Sequence, residues 1–137
     1  MNTELQDFKI NVRIQLSALW TTLMFLYIYG DYFELYVPKK VEGLFNGQNM
    51  LDDPLKLFVA TFTLTIPALM IFLSLILKPK LTKWLTAGIA VFFTLFTFLV
   101  GISSISEWRI FYVFLSFLES LITIIIFVKA WNWPKTD

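Results

Sequence analysis

The chain has 137 residues, of which 58% are hydrophobic, 18% aromatic and only 15% charged, with 15 Phe. A body this small cannot hide so much apolar side chain from water, so lipid is the expected solvent. A net charge of +1 excludes a nucleic-acid binder working through bulk electrostatics, and no nucleic-acid partner is expected. The chain has neither Cys nor His, which excludes disulfides, thiolate and imidazole metal sites, cysteine nucleophiles and the commonest general base.

Four apolar runs follow one another, at residues 14–36, 57–77, 84–102 and 110–128. Each is close to the roughly 20 residues that a bilayer core of about 30 Å requires. Lipid cannot satisfy backbone amides, and the runs are continuous rather than alternating, so helices are expected and a barrel is not. Asp53-Pro54 is a good N-cap and first-turn pair, which starts the second helix at 54. Pro38 ends the first run, and Lys78-Pro79-Lys80 is expected to close the second. Gly101 with Ser103, Ser104 and Ser106 is expected to close the third, and Trp131, Trp133 and Pro134 the fourth. In the outer loop, residues 37–53, Val41, Leu44 and Phe45 can form a short interfacial helix before Asn46-Gly47 turns the chain. The first run is too long for the apolar core of a signal peptide and reads as a retained anchor. The fold expected is all-α: one membrane domain over residues 1–137, a transmembrane four-helix bundle.

Orientation follows from Lys and Arg. The first tail, the second link and the last tail hold Lys9, Arg13, Lys78, Lys80, Lys83, Lys129 and Lys135, against Lys39, Lys40, Lys56 and Arg109 in the two opposite loops. The bias puts both termini in the cytoplasm.

The residues that lipid should exclude are the informative ones. Ser17, Trp20, Met24, Tyr27, Asp31 and Glu34 recur at alternating steps of three and four, which sets them on one helical face. Glu34 and Asp31 can alternatively sit in the headgroup layer, beside an aromatic belt of Tyr29, Tyr32 and Tyr36. Trp108, Tyr112, Ser116, Glu119 and Thr123 share a face of the last helix, with Glu119 near its middle. A carboxylate there is expensive in lipid and should face the bundle interior. It is then either a working group or a protonated side chain bonded to Ser or Thr as interhelical glue. Pro67 removes the amide that would bond the carbonyl of Thr63, so Thr63 and Pro67 can add a polar wall opposite Glu119, or merely a healed kink. Ala87, Ala90, Thr94, Thr97 and Gly101 form a small-residue seam suited to packing. Three acids without defined spacing make no metal site, and no cofactor or catalytic residue is expected.

Leu19-Trp20, Tyr27-Ile28-Tyr29-Gly30-Asp31, the stretch from Ile66-Pro67 to Ser74, Phe117-Leu118-Glu119 and Ala130-Trp131-Asn132-Trp133-Pro134 occur in this order along nearly the whole chain. Together they resemble a bacterial family of four-pass membrane proteins known only as a domain of unknown function, similar in size to DoxX-like proteins. The resemblance implies a multi-pass protein of the bacterial inner (plasma) membrane and makes Asp31, Pro67 and Glu119 functional candidates. The family pattern usually has an acid just before the Ile-Pro step, where this chain has Thr65. If that acid partners Glu119 elsewhere, half of the pair is missing here.

The leading expectation is a non-enzymatic membrane protein with a polar midplane pocket. It would bind or transport a small lipophilic or cationic molecule, with proton coupling through Glu119. Asp31, Glu34, Tyr27, Tyr112, Thr63, Pro67 and Trp20 complete the candidate site. A ligand-free accessory subunit of a membrane complex is the second reading, and a lipid-acting enzyme the third. Four short helices seldom enclose a pathway alone, so a homodimer stays open.

Overall fold

The computed structural model describes residues 3–136; Met1, Asn2 and Asp137, included in the expected single domain, lie outside the described residues. These form α1 (Val12–Glu34), α2 (Lys40–Asn46), α3 (Pro54–Ile76), α4 (Pro79–Ser103), a 3-10 turn (Glu107–Arg109) and α5 (Ile110–Trp131), with no strand among them. Three helices are long and apolar enough to cross a membrane: α3, α4, and α5 with its leading turn. The sequence leads one to expect four. α1 matches the others at 23 residues, but Gln15, Ser17, Thr21, Thr22 and Asp31 leave it less apolar.

The chain's punctuation sets the ends. Asn11 caps α1, its side chain accepting from the Arg13 amide at 2.8 Å, and Asp53 does the same for α3 at Leu55. Pro79 does not lie in a link, as expected, but occupies the first turn of α4, where its fixed φ suits a helix start. α4 therefore begins at 79 rather than 84. Gly101 does not end α4 either; it lies inside the helix, at a close approach described below. The interfacial helix expected in the outer loop is α2, closed by Gly47 at φ 79°, a left-handed turn natural to glycine.

Packing is most extensive between the antiparallel α4 and α5; α1 lies against α3 and α5, and α3 touches α4 only lightly. Leu16, Trp20 and Leu23 of α1 meet Met70, Phe93 and Ile126 in the core. The α4–α5 seam is built from small and hydroxyl side chains. Thr94 donates to Thr123 at 2.7 Å, the Thr97 and Ser120 hydroxyls pair at 3.1 Å, and a Cβ on Gly101 would lie 2.9 Å from the Ser116 Cβ. Glycine is what permits that approach.

The distribution of polarity is inverted relative to a water-soluble domain. Ser74, Thr82, Thr86, Thr97, Ser116 and Thr123 are buried, whereas Phe58, Phe62, Phe72, Phe98, Phe114 and Phe117 are exposed. At the end where α1 begins and α5 finishes, Arg13 donates to the Leu77 and Leu75 carbonyls at 2.6 and 3.3 Å, capping α3, and stacks over Trp133. Lys83 likewise lies over Trp131. These are long cations lying against an aromatic belt.

Candidate functional site

The light contact between α3 and α4 leaves space at the opposite end of the molecule. A cavity of about 610 Å³ opens there, with walls from α1, α3, α4 and α5 and a rim from the loop after α2. Five of the eight candidate residues line it: Tyr27 and Asp31 of α1, Thr63 of α3, and Tyr112 and Glu119 of α5. They reach one space because α1 and α5 pack together, and the three- and four-residue steps on each helix aim one stripe at the gap.

Glu119 is the deepest acid. It lies nine residues into α5, about 13 Å along the axis at the α-helical rise. Only 6% of its surface is exposed. Its backbone carbonyl accepts from Thr123 at 3.1 Å, but its carboxyl group has no hydrogen-bond or ion-pair partner among the described residues. The glue role needs a Ser or Thr on a neighbouring helix, and no hydrogen bond from such a hydroxyl to the Glu119 carboxyl forms among the described residues. Tyr27 is 9% exposed, and its hydroxyl is buried without a partner. Asp31, one turn on, is exposed at the mouth. Thr63 donates its hydroxyl to Val59 at 2.8 Å, while its own carbonyl lacks a helical donor because residue 67 is proline.

Three candidates lie elsewhere. Glu34 is buried at the end of α1, where Arg109 pairs with its Oε1 at 2.8 Å and the Lys40 ammonium lies 3.7 Å away. It therefore does not join Asp31 and Glu119 in the cavity, because the chain brings two cations to it. Trp20 is fully buried in the core, its indole N–H without a partner. Pro67 continues the α3 stripe that carries Thr63, but it is fully buried and does not line the cavity. At that level Met70 joins Trp20 and Leu23 and the space is closed. Thr65 is exposed, with its hydroxyl on the Thr61 carbonyl, so a side chain at that position is not directed at Glu119.

Some wall residues carried no sequence signal. Phe96 and Val100 bring α4 to the cavity, and Met50 and Leu51 bring the loop over it. Lys56 also lines it, yet its ammonium is held by Asp52 at 2.7 Å. That pair was legible as a four-residue step across the Asp53-Pro54 cap. The hydrogen bond and charge of Lys56 hold the exposed Asp52 carboxyl below the usual carboxylate range.

An all-helical chain with three helices long and apolar enough to cross a membrane and polar seams inside has the features of a small membrane protein. The family model described as "Family of unknown function (DUF6326)" matches residues 4–137, and the chain belongs to that family. No curated protein and no solved structure matches it.

Proposed function

We propose that this chain spans the bacterial inner membrane four times, α1 included, as a bundle with both termini in the cytoplasm. Its cavity binds or moves a small lipophilic or cationic molecule, with Glu119 as the group that exchanges a proton. The observation that carries this reading is the Glu119 carboxyl: buried, unpaired, and facing a cavity within the roughly 300–1,000 Å³ usual for small-molecule sites. An intramembrane acid of this kind marks a ligand or proton path more often than a structural contact.

The test uses the full chain in lipid nanodiscs and a panel of neutral and cationic lipophilic probes. At least one probe should raise the melting temperature, and Ala60→Phe, which fills the cavity, should abolish the rise. A panel with no effect on the parent, or with equal effects on Ala60→Phe, would overturn the site. Orientation is checked by cysteine labelling. A Cys at Thr136 should react only from the cytoplasmic side and one at Asn49 only from outside, and reversed labelling would refute the Lys and Arg bias.

A further inference from the structure

The charges around the cavity do not balance. Among the described residues three ion pairs form, and neither Asp31 nor Glu119 takes part in one. The nearby cations are already engaged: Lys56 with Asp52, and Arg109 and Lys40 with Glu34. Lys40 acts on Asp31 only from a distance and Lys56 on the wall is turned to Asp52, so the cavity presents two carboxyl groups with no ion pair of their own, which a positively charged guest would complete. A bare metal ion does not suit this space. A hard cation takes about six or more oxygens, and most of the wall here is Leu55, Val59, Ala60, Leu64, Phe96 and Val100.

The aromatic side chains narrow the class further. Tyr27, Tyr112 and Phe96 line the same space as the two acids, and ring faces attract diffuse cations that carry apolar substituents. Tyr27 adds a buried hydroxyl without a partner. Access fits such a guest as well. Leu55, Val59 and Phe96 line the cavity and are also exposed on the outer surface of the helices, where α3 and α4 barely touch. A molecule dissolved in the lipid can reach the acids sideways, without crossing an aqueous vestibule.

Resting on the proposed ligand-binding reading, we infer that the cavity is a site for a lipophilic organic cation. Its charge lies between Glu119, Asp31 and the rings of Tyr27 and Tyr112, and its apolar body lies against α3 and Phe96.

The experiment compares methyltriphenylphosphonium with triphenylphosphine oxide, a near match in shape that carries no net charge. Neither probe titrates. Binding to the full chain in zwitterionic nanodiscs is measured by equilibrium dialysis against empty nanodiscs. The cation should bind saturably, at least about tenfold tighter than the oxide, a difference that the loss of one charge contact readily supplies. Glu119→Gln should lower cation affinity by about tenfold or more and leave the oxide unchanged, with Asp31→Asn acting in the same direction by a smaller factor. Tyr112→Leu should weaken the cation more than Tyr112→Phe does. The Gln and Asn variants keep the parent's shape, and the melting temperature of each confirms that it folds. Equal binding of cation and oxide, or cation binding untouched by Glu119→Gln, would overturn the inference and leave a neutral-ligand site standing. Binding of the oxide alone would do the same. Binding of neither overturns the inference, and the proposed function falls with it only if the wider panel also fails.

Discussion

Thr94, Thr97, Ser120 and Thr123 lie between α4 and α5, and each of these hydroxyls is bonded to the facing helix or to a carbonyl of its own. The cavity beside the α3–α4 gap is lined by Thr63, Tyr27, Asp31, Tyr112, Glu119 and Lys56, and the side chains of Tyr27, Asp31 and Glu119 have no hydrogen-bond partner among the described residues. Both regions set polar atoms in an apolar body. In the first the helices meet so closely that the groups satisfy one another. In the second the helices separate and the same kinds of group are left for something else. Unsatisfied polar groups in an apolar medium are costly, and a fold that keeps several around one cavity is holding them for a guest or for water. The acids show the contrast most clearly. Glu34 is neutralised by Arg109 and Lys40, and Glu119 by no cation among the described residues.

The largest expected effect comes from the paired acid. Arg109→Ala would leave the buried Glu34 carboxylate with only the longer Lys40 contact and should destabilise the protein by about 2–3 kcal/mol, as loss of a charged hydrogen bond does. Glu119→Leu should change stability by less than about 0.5 kcal/mol or raise it, because no protein donor loses its acceptor there. Reversible unfolding of both variants in mild detergent checks the pair. A Glu119→Leu loss as large as that of Arg109→Ala would show that Glu119 has a structural partner after all.

The seam should respond next. Gly101→Ala places a methyl 2.9 Å from the Ser116 Cβ, which is fixed to the α5 backbone and cannot move aside. Overpacking of this kind costs about 1–3 kcal/mol. Gly101→Ala combined with Ser116→Gly removes the clash and should recover part of the loss, as a double-mutant cycle would reveal. An additive result would mean that the two helices do not approach as closely as the seam requires.

Much of this contrast was legible in the residues. Run length gave the long helices, the Asp53-Pro54 pair gave the start of α3, and the small residues from Ala87 to Gly101 marked the seam. The stripes on α1 and α5 identified Tyr27, Asp31, Tyr112 and Glu119, because periodicity reports which side chains share a face. What periodicity does not report is where along a face the neighbour closes in. Trp20 and Glu34 share the stripe of Asp31, yet one is core and the other is claimed by Arg109, a residue far along the chain. Pro67 lies on the stripe of Thr63 but below the cavity. Pro79 misled because proline ends one helix and begins the next equally well, and only packing decides which. The contribution of α4 came from Phe96 and Val100, ordinary apolar residues whose place depends on how far two helices splay.

The smallest effect concerns Lys56, a cation on the cavity wall. Lys56 is directed to Asp52, and this exposed pair one turn apart should contribute almost nothing to stability. The folded-state pKa of Asp52 is depressed, so whatever the pair contributes is present above the unfolded value and lost as pH falls through the folded one. Asp52→Asn should therefore leave the melting temperature unchanged at neutral pH. It should still matter to the cavity. A released Lys56 ammonium can turn toward Asp31 and Glu119, partly neutralise them, and lower the affinity for a lipophilic cation by roughly two- to threefold, a screened interaction between exposed charges. Lys56→Met should have the opposite sign, strengthening the cation slightly, and should return the Asp52 titration followed by carboxyl NMR to the ordinary range. If Asp52→Asn leaves cation affinity at the parental value, Lys56 does not compete for the acids, and their unpaired state does not depend on where Asp52 holds it.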